Sequence, residues 1–140
     1  MPYLVRNDGI GLKNSDLICE YLCRLYSNDL WTFPNGDKGW ELRRLHSLCR
    51  SYIDGLSVWL REVSRPVNAQ YSKLIAHEKE RARRLTTLWE HEMKSALMQC
   101  PRNRTQRILF CTLEIEQLLP SFDWWSGHPN LLAWHGRHAI

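Results

Sequence analysis

Leu42, Leu45, Cys49, Tyr52, Leu56, Trp59 and Val63 recur at intervals of three and four residues. Only a helix of about six turns carries all of them on one face. The stripe stops at Arg65-Pro66, because a proline holds the residue ahead of it out of the helical region. A second stripe begins a few residues later: Tyr71, Leu74, Ile75, Ala82, Leu85, Trp89, Met93 and Ala96, ending near Gln99-Cys100-Pro101. Two long amphipathic helices with so short a connection pack antiparallel, each covering the other's apolar face. The rest of the chain is arranged around that pair. A third helix is expected from about Thr105 to Leu119, with Ile108, Cys111, Thr112, Ile115 and Leu119 inward and Pro120 as its stop. A turn at Gly127-His128 and a proline at a helix start then introduce a last helix bearing Leu131, Leu132 and Trp134.

The opening of the chain follows a different pattern. Pro2 to Val5 read as a short strand, Asn7-Asp8-Gly9 as a turn, and Ile10 to Lys13 as the returning strand. An amphipathic helix follows from about Ser15 to Tyr26, with Leu17, Ile18, Tyr21, Leu22 and Leu25 on one face. The stretch "SNDLWTFPNGDKG", residues 27–39, is rich in turn formers and reads as a linker. The expected organisation is therefore a small α+β opening (1–26), a linker (27–39) and an all-α domain (40–140). The fold class is mainly α, a helical bundle preceded by a β-hairpin and one helix.

Composition excludes several classes. Hydrophobic residues make up 44% of 140, so a core can be buried and disorder is not expected. Nineteen Lys+Arg against fifteen Asp+Glu leave a net charge of +4, too little to imply a nucleic-acid partner without a clustered patch. In "EKERARR" (78–84) Glu78 and Glu80 offset Arg81, Arg83 and Arg84, the pattern of a solvated helix face. "PRNRTQR" (101–107) sits at a helix start, where positive charge opposes the macrodipole. Apolar runs such as Ile108 to Cys111 fall far short of a membrane span, and the N-terminus lacks the pattern of a signal peptide. Five cysteines without framework spacing read as reduced thiols, pointing to the cytoplasm.

Candidate chemistry thins out quickly. His77-Glu78 and His91-Glu92 fail as zincin motifs, since Arg81 and Ser95 stand where the second histidine belongs. Cys19 with Cys23, or His46 with Cys49, would supply two metal ligands where a structural zinc site needs four, so packed thiols are the reading and no metal is expected. His128, His135 and His138 read as surface or capping histidines. No nucleophile–base pair and no phosphate-cradling glycine loop is legible. What remains is the helix mouth at Lys13-Asn14-Ser15. The Ser15 hydroxyl can cap its own helix. The same geometry can instead offer free N–H groups and a positive dipole end to a carboxylate. Both readings stay open on the residues alone.

The stretch "MPYLVRNDGIGLKNSDLICEYLCRLY" resembles the closing part of the thioredoxin-like domain of a glutathione transferase. "RRLHSLCRSYIDGLSVWLREVSRP" resembles the first long helix of the family's all-α domain in bacterial members, and "FDWWSGHPNLLAW" resembles a segment near their end. The resemblance implies a glutathione site in which Ser15 takes the γ-glutamyl carboxylate and the backbone of Met1, ahead of a cis Pro2, pairs with the cysteinyl part. Asn14 stands where the family carries an acid. Glutathione would be the co-substrate, with no further cofactor, and small hydrophobic electrophiles and a second copy of the chain would be the partners. The strand bearing the family's catalytic residue would precede Met1, so no catalytic residue is assigned. The alternative is a non-catalytic helical interaction module or remnant of such a transferase. The family opens its core helix with a Ser/Thr-x-x-Asp cap, and aligning that motif to Arg104-Thr105-Gln106-Arg107 leads to the expectation that the cap is lost.

Overall fold

The structure, a computed structural model, describes residues 2–27, 31–99, 103–119 and 121–138. It opens with an antiparallel hairpin, β1 (Tyr3–Val5) and β2 (Gly11–Lys13), in the register Tyr3↔Lys13, Leu4↔Leu12 and Val5↔Gly11. The loop closes where sequence chemistry places it. Gly9 adopts φ 82° and donates its N–H to Arg6 O (2.9 Å), and the Asp8 carboxylate accepts from Ile10 N–H (3.1 Å). Helices α1 (Ser15–Leu25), α2 (Asp37–Val63), α3 (Ser72–Glu92), α4 (Ala96–Gln99), α5 (Arg104–Leu113) and α6 (Pro129–His138) follow, with 3-10 turns at Val67–Ala69 and Glu114–Leu118. No helix among the described residues is long and apolar enough to cross a membrane.

The antiparallel pair expected from the two stripes is α2 with α3. Ties run from end to end: Arg44 near the start of α2 makes a double ion pair with Glu92 at the end of α3 (2.8 Å each). In the middle the Tyr52 hydroxyl meets Thr86 Oγ1 (2.6 Å). At the far end Glu62 accepts from the N–H of Tyr71 (2.6 Å). Leu42, Leu45, Cys49, Tyr52, Leu56 and Trp59 are all buried, as their spacing requires. On α3 the inner face is Ala82, Thr86 and Trp89 together with Glu78, while Tyr71 is exposed. α5 lies on the other side of α2, and α6 packs on α3. The α6 N-terminus is held by Glu90, which accepts from Asn130 N–H (3.0 Å) and Leu131 N–H (2.8 Å). Trp134 Nε1 donates to Met98 O (3.1 Å), fixing α6 to α4.

Several expectations need correction. α2 begins at Asp37, inside the stretch read as linker, and Gly39 explains why: a Cβ there would stand 1.8 Å from Pro34 O, so only glycine lets the incoming chain cross its first turn. The third helix tightens to 3-10 after Leu113, and Cys111 is exposed instead of inward. The stops expected at Pro101 and Pro120 lie outside the described residues. Arg81 is turned partly inward: its guanidinium donates to Ser51 O (2.8 Å) and Ser51 Oγ (2.9 Å) on α2 and pairs with buried Glu78 (3.2 Å). Glu80, Arg83 and Arg84 do form an exposed charged face.

The lost cap is also a correction, because the motif sits one residue earlier. Asn103 is the N-cap of α5; its side chain accepts from Gln106 N–H (3.0 Å), and Gln106 Oε1 accepts from Asn103 N–H (3.1 Å). This is a complete capping box built from two amides. Its cost to stability, expected from a missing acid, does not arise. Trp59, 2% exposed, sits edge-on to Phe122 (6.3 Å) under the Lys79 ammonium. Trp59→Ala is expected to lower the unfolding free energy by about 3–5 kcal/mol, the range for a deleted buried aromatic. An unchanged denaturation midpoint would remove Trp59 from the core.

Candidate functional site

The mouth of α1 departs from ordinary backbone geometry. Asn14 adopts φ 87° and ψ 123°, a left-handed conformation that a residue with a Cβ takes only at a cost. Its side-chain oxygen accepts from Asp16 N–H (2.8 Å), and its carbonyl accepts the first helical bond from Ile18 N–H (3.1 Å). Asn14 is therefore the N-cap, not Ser15. Asparagine suits this place twice, as a capping acceptor and as the side chain most tolerant of positive φ. Ser15 becomes the first helical residue. It is exposed, and its hydroxyl has no hydrogen-bond partner among the described residues. Of the other residues assigned to the site, Pro2 is exposed and precedes Tyr3, so the register Tyr3↔Lys13 brings it to the same end of the hairpin as Asn14. Met1, and with it the expected cis bond to Pro2, lies outside the described residues.

One position further, Asp16 carries a network that sequence reasoning missed. Its Oδ2 lies 3.1 Å from His46 Nε2 and 3.6 Å from Arg50 Nε, both on α2. Its Oδ1 lies 3.3 Å from Arg104 Nη2 on α5. Arg104 is 2% exposed, and Nη1 donates to Trp31 O (2.9 Å). Its guanidinium lies over the Phe33 ring (4.3 Å) and near that of Trp31 (5.7 Å). A single carboxylate thus joins α1, α2 and α5, and the arginine adds the segment between α1 and α2. The sequence signal was slight: an acid in a first helical turn, and an arginine at a helix start that looked misplaced.

The tautomer of His46 follows from its partners. Nε2 lies between the Asp16 carboxylate (3.1 Å), which only accepts, and Arg104 Nη2 (3.4 Å), which only donates; the shorter carboxylate contact, and a buried Nδ1 with no partner among the described residues, place the proton on Nε2. Adding a proton to Nδ1 would bury an unmatched N–H. Burial first, and the neighbouring Arg104 cation second, hold the His46 pKa below its ordinary 6.5, against the pull of Asp16. Burial raises the pKa of the Cys19 thiol, one turn along α1, and Asp16 raises it further. The pairing of His46 with Cys49 as metal ligands does not occur: His46 faces Asp16, while the Cys49 thiol is buried, 4.0 Å from Thr105 O. No group of three or more metal-ligating side chains is assembled among the described residues.

Ser15 and Asp16 open onto a cleft of about 180 Å³ between α1 and the bundle. Cys19 from α1, Arg50 from α2, and Arg107 and Cys111 from α5 line it. Arg107 makes no ion pair among the described residues, and Arg50 is held only loosely, by Asp16 and by Asp54 (3.7 Å). The cleft therefore joins a hydroxyl, a helix N-terminus and two guanidinium groups with spare hydrogen-bonding capacity, which is chemistry suited to a carboxylate. A larger hollow of about 530 Å³ lies between α3 and residues 121–128. Its basic side chains are already engaged: Arg83 by Glu80, Lys79 by the Trp59 ring, and His128 by Thr87.

Comparison with solved structures places this architecture. A glutathione transferase family member from Pseudomonas fluorescens Pf-5 with bound S-(propanoic acid)-glutathione matches with TM-score 0.85 at 22% identity, over 98% of this chain and 71% of that one. Another structure from the same organism, with bound glutathione, also gives TM-score 0.85 at 22% identity, over 99% and 68%. A glutathione S-transferase from Methylobacterium radiotolerans in complex with glutathione sulfonate gives TM-score 0.73 at 19% identity, over 99% and 66%. No protein-family model and no curated protein sequence matches the chain. The chain has a glutathione transferase-like fold, with a partial thioredoxin-like start followed by the helical bundle.

Two outcomes follow from the network. The folded-state pKa of His46 lies below the unfolded value, so the unfolded chain binds more protons between the two. Stability is complete above about pH 7, falls as pH drops through the interval below 6.5, and levels off beneath the folded pKa. His46→Gln, which keeps an N–H donor and cannot titrate, is expected to flatten that slope in denaturation midpoints taken at about pH 7 and about pH 5.5. Parallel pH profiles would acquit His46. Asp16→Ala is expected to cost about 3 kcal/mol, the low end for stripping one partner from a buried ion pair, because Asp16 is itself 21% exposed. Arg104→Met in the same chain should return part of that loss, and strictly additive effects would show that the two do not interact.

Proposed function

We propose that this protein binds glutathione at the α1 mouth and presents it, across the α1–bundle cleft, to small hydrophobic electrophiles in the manner of a glutathione transferase. The observation that carries the reading is the division of labour at residues 14 and 15. Asn14 satisfies the helix cap, which leaves the Ser15 hydroxyl exposed at a positive helix end and without a partner among the described residues. A serine needed only as a cap would be doing what Asn14 does. The γ-glutamyl carboxylate is the part of glutathione that fits a hydroxyl plus free N–H groups, and its ammonium falls beside the Asn14 side chain. The solved relatives of this fold are described with glutathione or its derivatives bound, which supports the choice of ligand.

In this reading the residues have separate tasks. Ser15 anchors the carboxylate; the backbone of Met1 ahead of Pro2 pairs with the cysteinyl part; Arg50 and Arg107 supply positive potential to the cleft. Asn14 holds the strained backbone that aims the mouth and offers a neutral contact where an acid would add charge. No catalytic residue is assigned. The activity arm of the test is conjugation of an aryl halide, and the homodimer is the assembly the reading implies.

Affinity is expected to be weak, about 1 mM or about −4 kcal/mol, for one carboxylate contact and one backbone pairing. Ser15→Ala should reduce it further. Asn14→Asp keeps the capping oxygen and adds a charge for the ammonium, so it should tighten binding. Ligand-observed NMR titration of the three proteins reads these differences directly. A Ser15→Ala protein that binds glutathione as well as the parent sinks the proposal.

A further inference from the structure

The cleft that holds the Ser15 mouth also holds two thiols. Cys19 and Cys111 come from different helices and line the same 180 Å³ space. They are not equivalent. Cys19 is half-buried, beside the Asp16 carboxylate, and both burial and that charge oppose its thiolate. Cys111 is exposed on α5. It lies one turn beyond Arg107, whose guanidinium shares its face and has no ion pair among the described residues. Cys49 is buried, its pKa pushed up to about 12, and Cys23 does not line the cleft. An accessible thiol, an unpaired cation one turn away and a carboxylate-binding mouth on the facing helix form a site for a disulfide that carries carboxylates.

Resting on the glutathione-binding reading above, we propose that Cys111 is a redox modification site of this cleft, captured as a mixed disulfide by glutathione disulfide. The Cys111 thiol loses its proton to solvent and the thiolate attacks one sulfur of the bound disulfide. The Cys111–glutathione S–S bond forms as the original S–S bond breaks, and glutathione thiolate leaves and takes up a proton. Cys111 is oxidised and the departing half is reduced, so glutathione disulfide is the only oxidant required. The carboxylates of the retained half meet Arg107 and the Ser15 mouth. The adduct fills the cleft, so an oxidised glutathione pool closes the site and reduced glutathione, by the reverse exchange, reopens it.

The full chain is treated with glutathione disulfide and, separately, with the uncharged 2-hydroxyethyl disulfide, and the adducts are followed by intact and peptide mass. One glutathionyl group on Cys111 is expected, absent in Cys111→Ser and kept in Cys23→Ser. The rate ratio between charged and uncharged reagent should fall by about tenfold in Ser15→Ala and in Arg107→Ala, the scale of one charge-assisted contact. Arg107 is exposed, so its variant serves if Ser15→Ala perturbs the fold. An unmodified Cys111, or a rate ratio unchanged in both variants, overturns the proposal. Glutathione titration of Cys111→Ser separates the two levels. Binding there with no adduct in the parent defeats the cysteine inference alone, whereas no binding there defeats the glutathione reading itself.

Discussion

Arg104 is a fully buried cation, and much of the arrangement around it exists to make that tolerable. A guanidinium without partners costs several kcal/mol to bury, so the chain delivers acceptors to both Nη atoms, while Nε is left buried without a partner among the described residues. Asp16 comes from α1, the Trp31 carbonyl from the segment before α2, the Phe33 face from the same segment, and α5 supplies the arginine itself. Arg43 extends the pattern outward, lying over both Phe33 (4.7 Å) and Trp40 (5.3 Å), so arginines and aromatics alternate from the buried centre to the surface. Residues 31–36, part of the stretch that reads as a linker from its turn formers, are in this way a packed strap. Arg104 is one of the ties that hold this segment against the bundle, beside the edge contact of Phe33 with His46 (5.6 Å) and the Arg43 guanidinium.

That dependence shows what could be read from the sequence and what could not. The helical bundle was legible because apolar periodicity is a local property: Leu42, Leu45, Cys49, Tyr52, Leu56 and Trp59 announce one face without knowledge of what covers it. The hairpin was legible because Asn7-Asp8-Gly9 specifies a turn by itself. The order of motifs pointed to the fold that the solved structures share. Charged residues carry no such signature. Arg81 and Arg104 look like surface residues in any window and are drawn inward by Ser51 and by Asp16, which lie far away in sequence. The α5 cap was misplaced by one residue for a related reason: Asn103 and Gln106 perform with amides what a hydroxyl and an acid usually perform. A pattern of residue types missed an intact pattern of hydrogen bonds.

The same distinction runs through the candidate site. Ser15 and Asn14 were nameable because a helix start is a local event, although the cap belongs to Asn14. Asp16, Arg50, Arg107 and Cys111 were not, because the cleft exists only once α1 is set against α2 and α5. Cys111 is the clearest case. Its place in the helical repeat suggested an inward residue, but beyond the first turn of α5 the buried residues are Leu109, Thr112 and Leu113, and residue 111 lines the cleft.

How α1 is held matters for what its mouth can do. Among the described residues Ile18 is the one buried side chain of α1, while Leu17, Leu25 and Tyr26 remain exposed. Apolar burial therefore contributes little to the seat of this helix on the bundle. Apolar contact is also non-directional: it would hold α1 near the bundle while tolerating rotation and sliding. The Asp16 contacts are directional. One carboxylate that must meet an imidazole N–H, an arginine Nε and a second guanidinium from two helices accepts few orientations of the helix that bears it. Since Asp16 is the second residue of α1, that restriction acts at the end where the free N–H groups and Ser15 lie. The positive φ of Asn14 is then sustained from both sides, by the β2 ladder before it and the ion-pair network after it. A buried charge that adds little net stability thus sets the angle of the helix mouth, and the carboxylate grip proposed for that mouth requires the angle more than it requires stability.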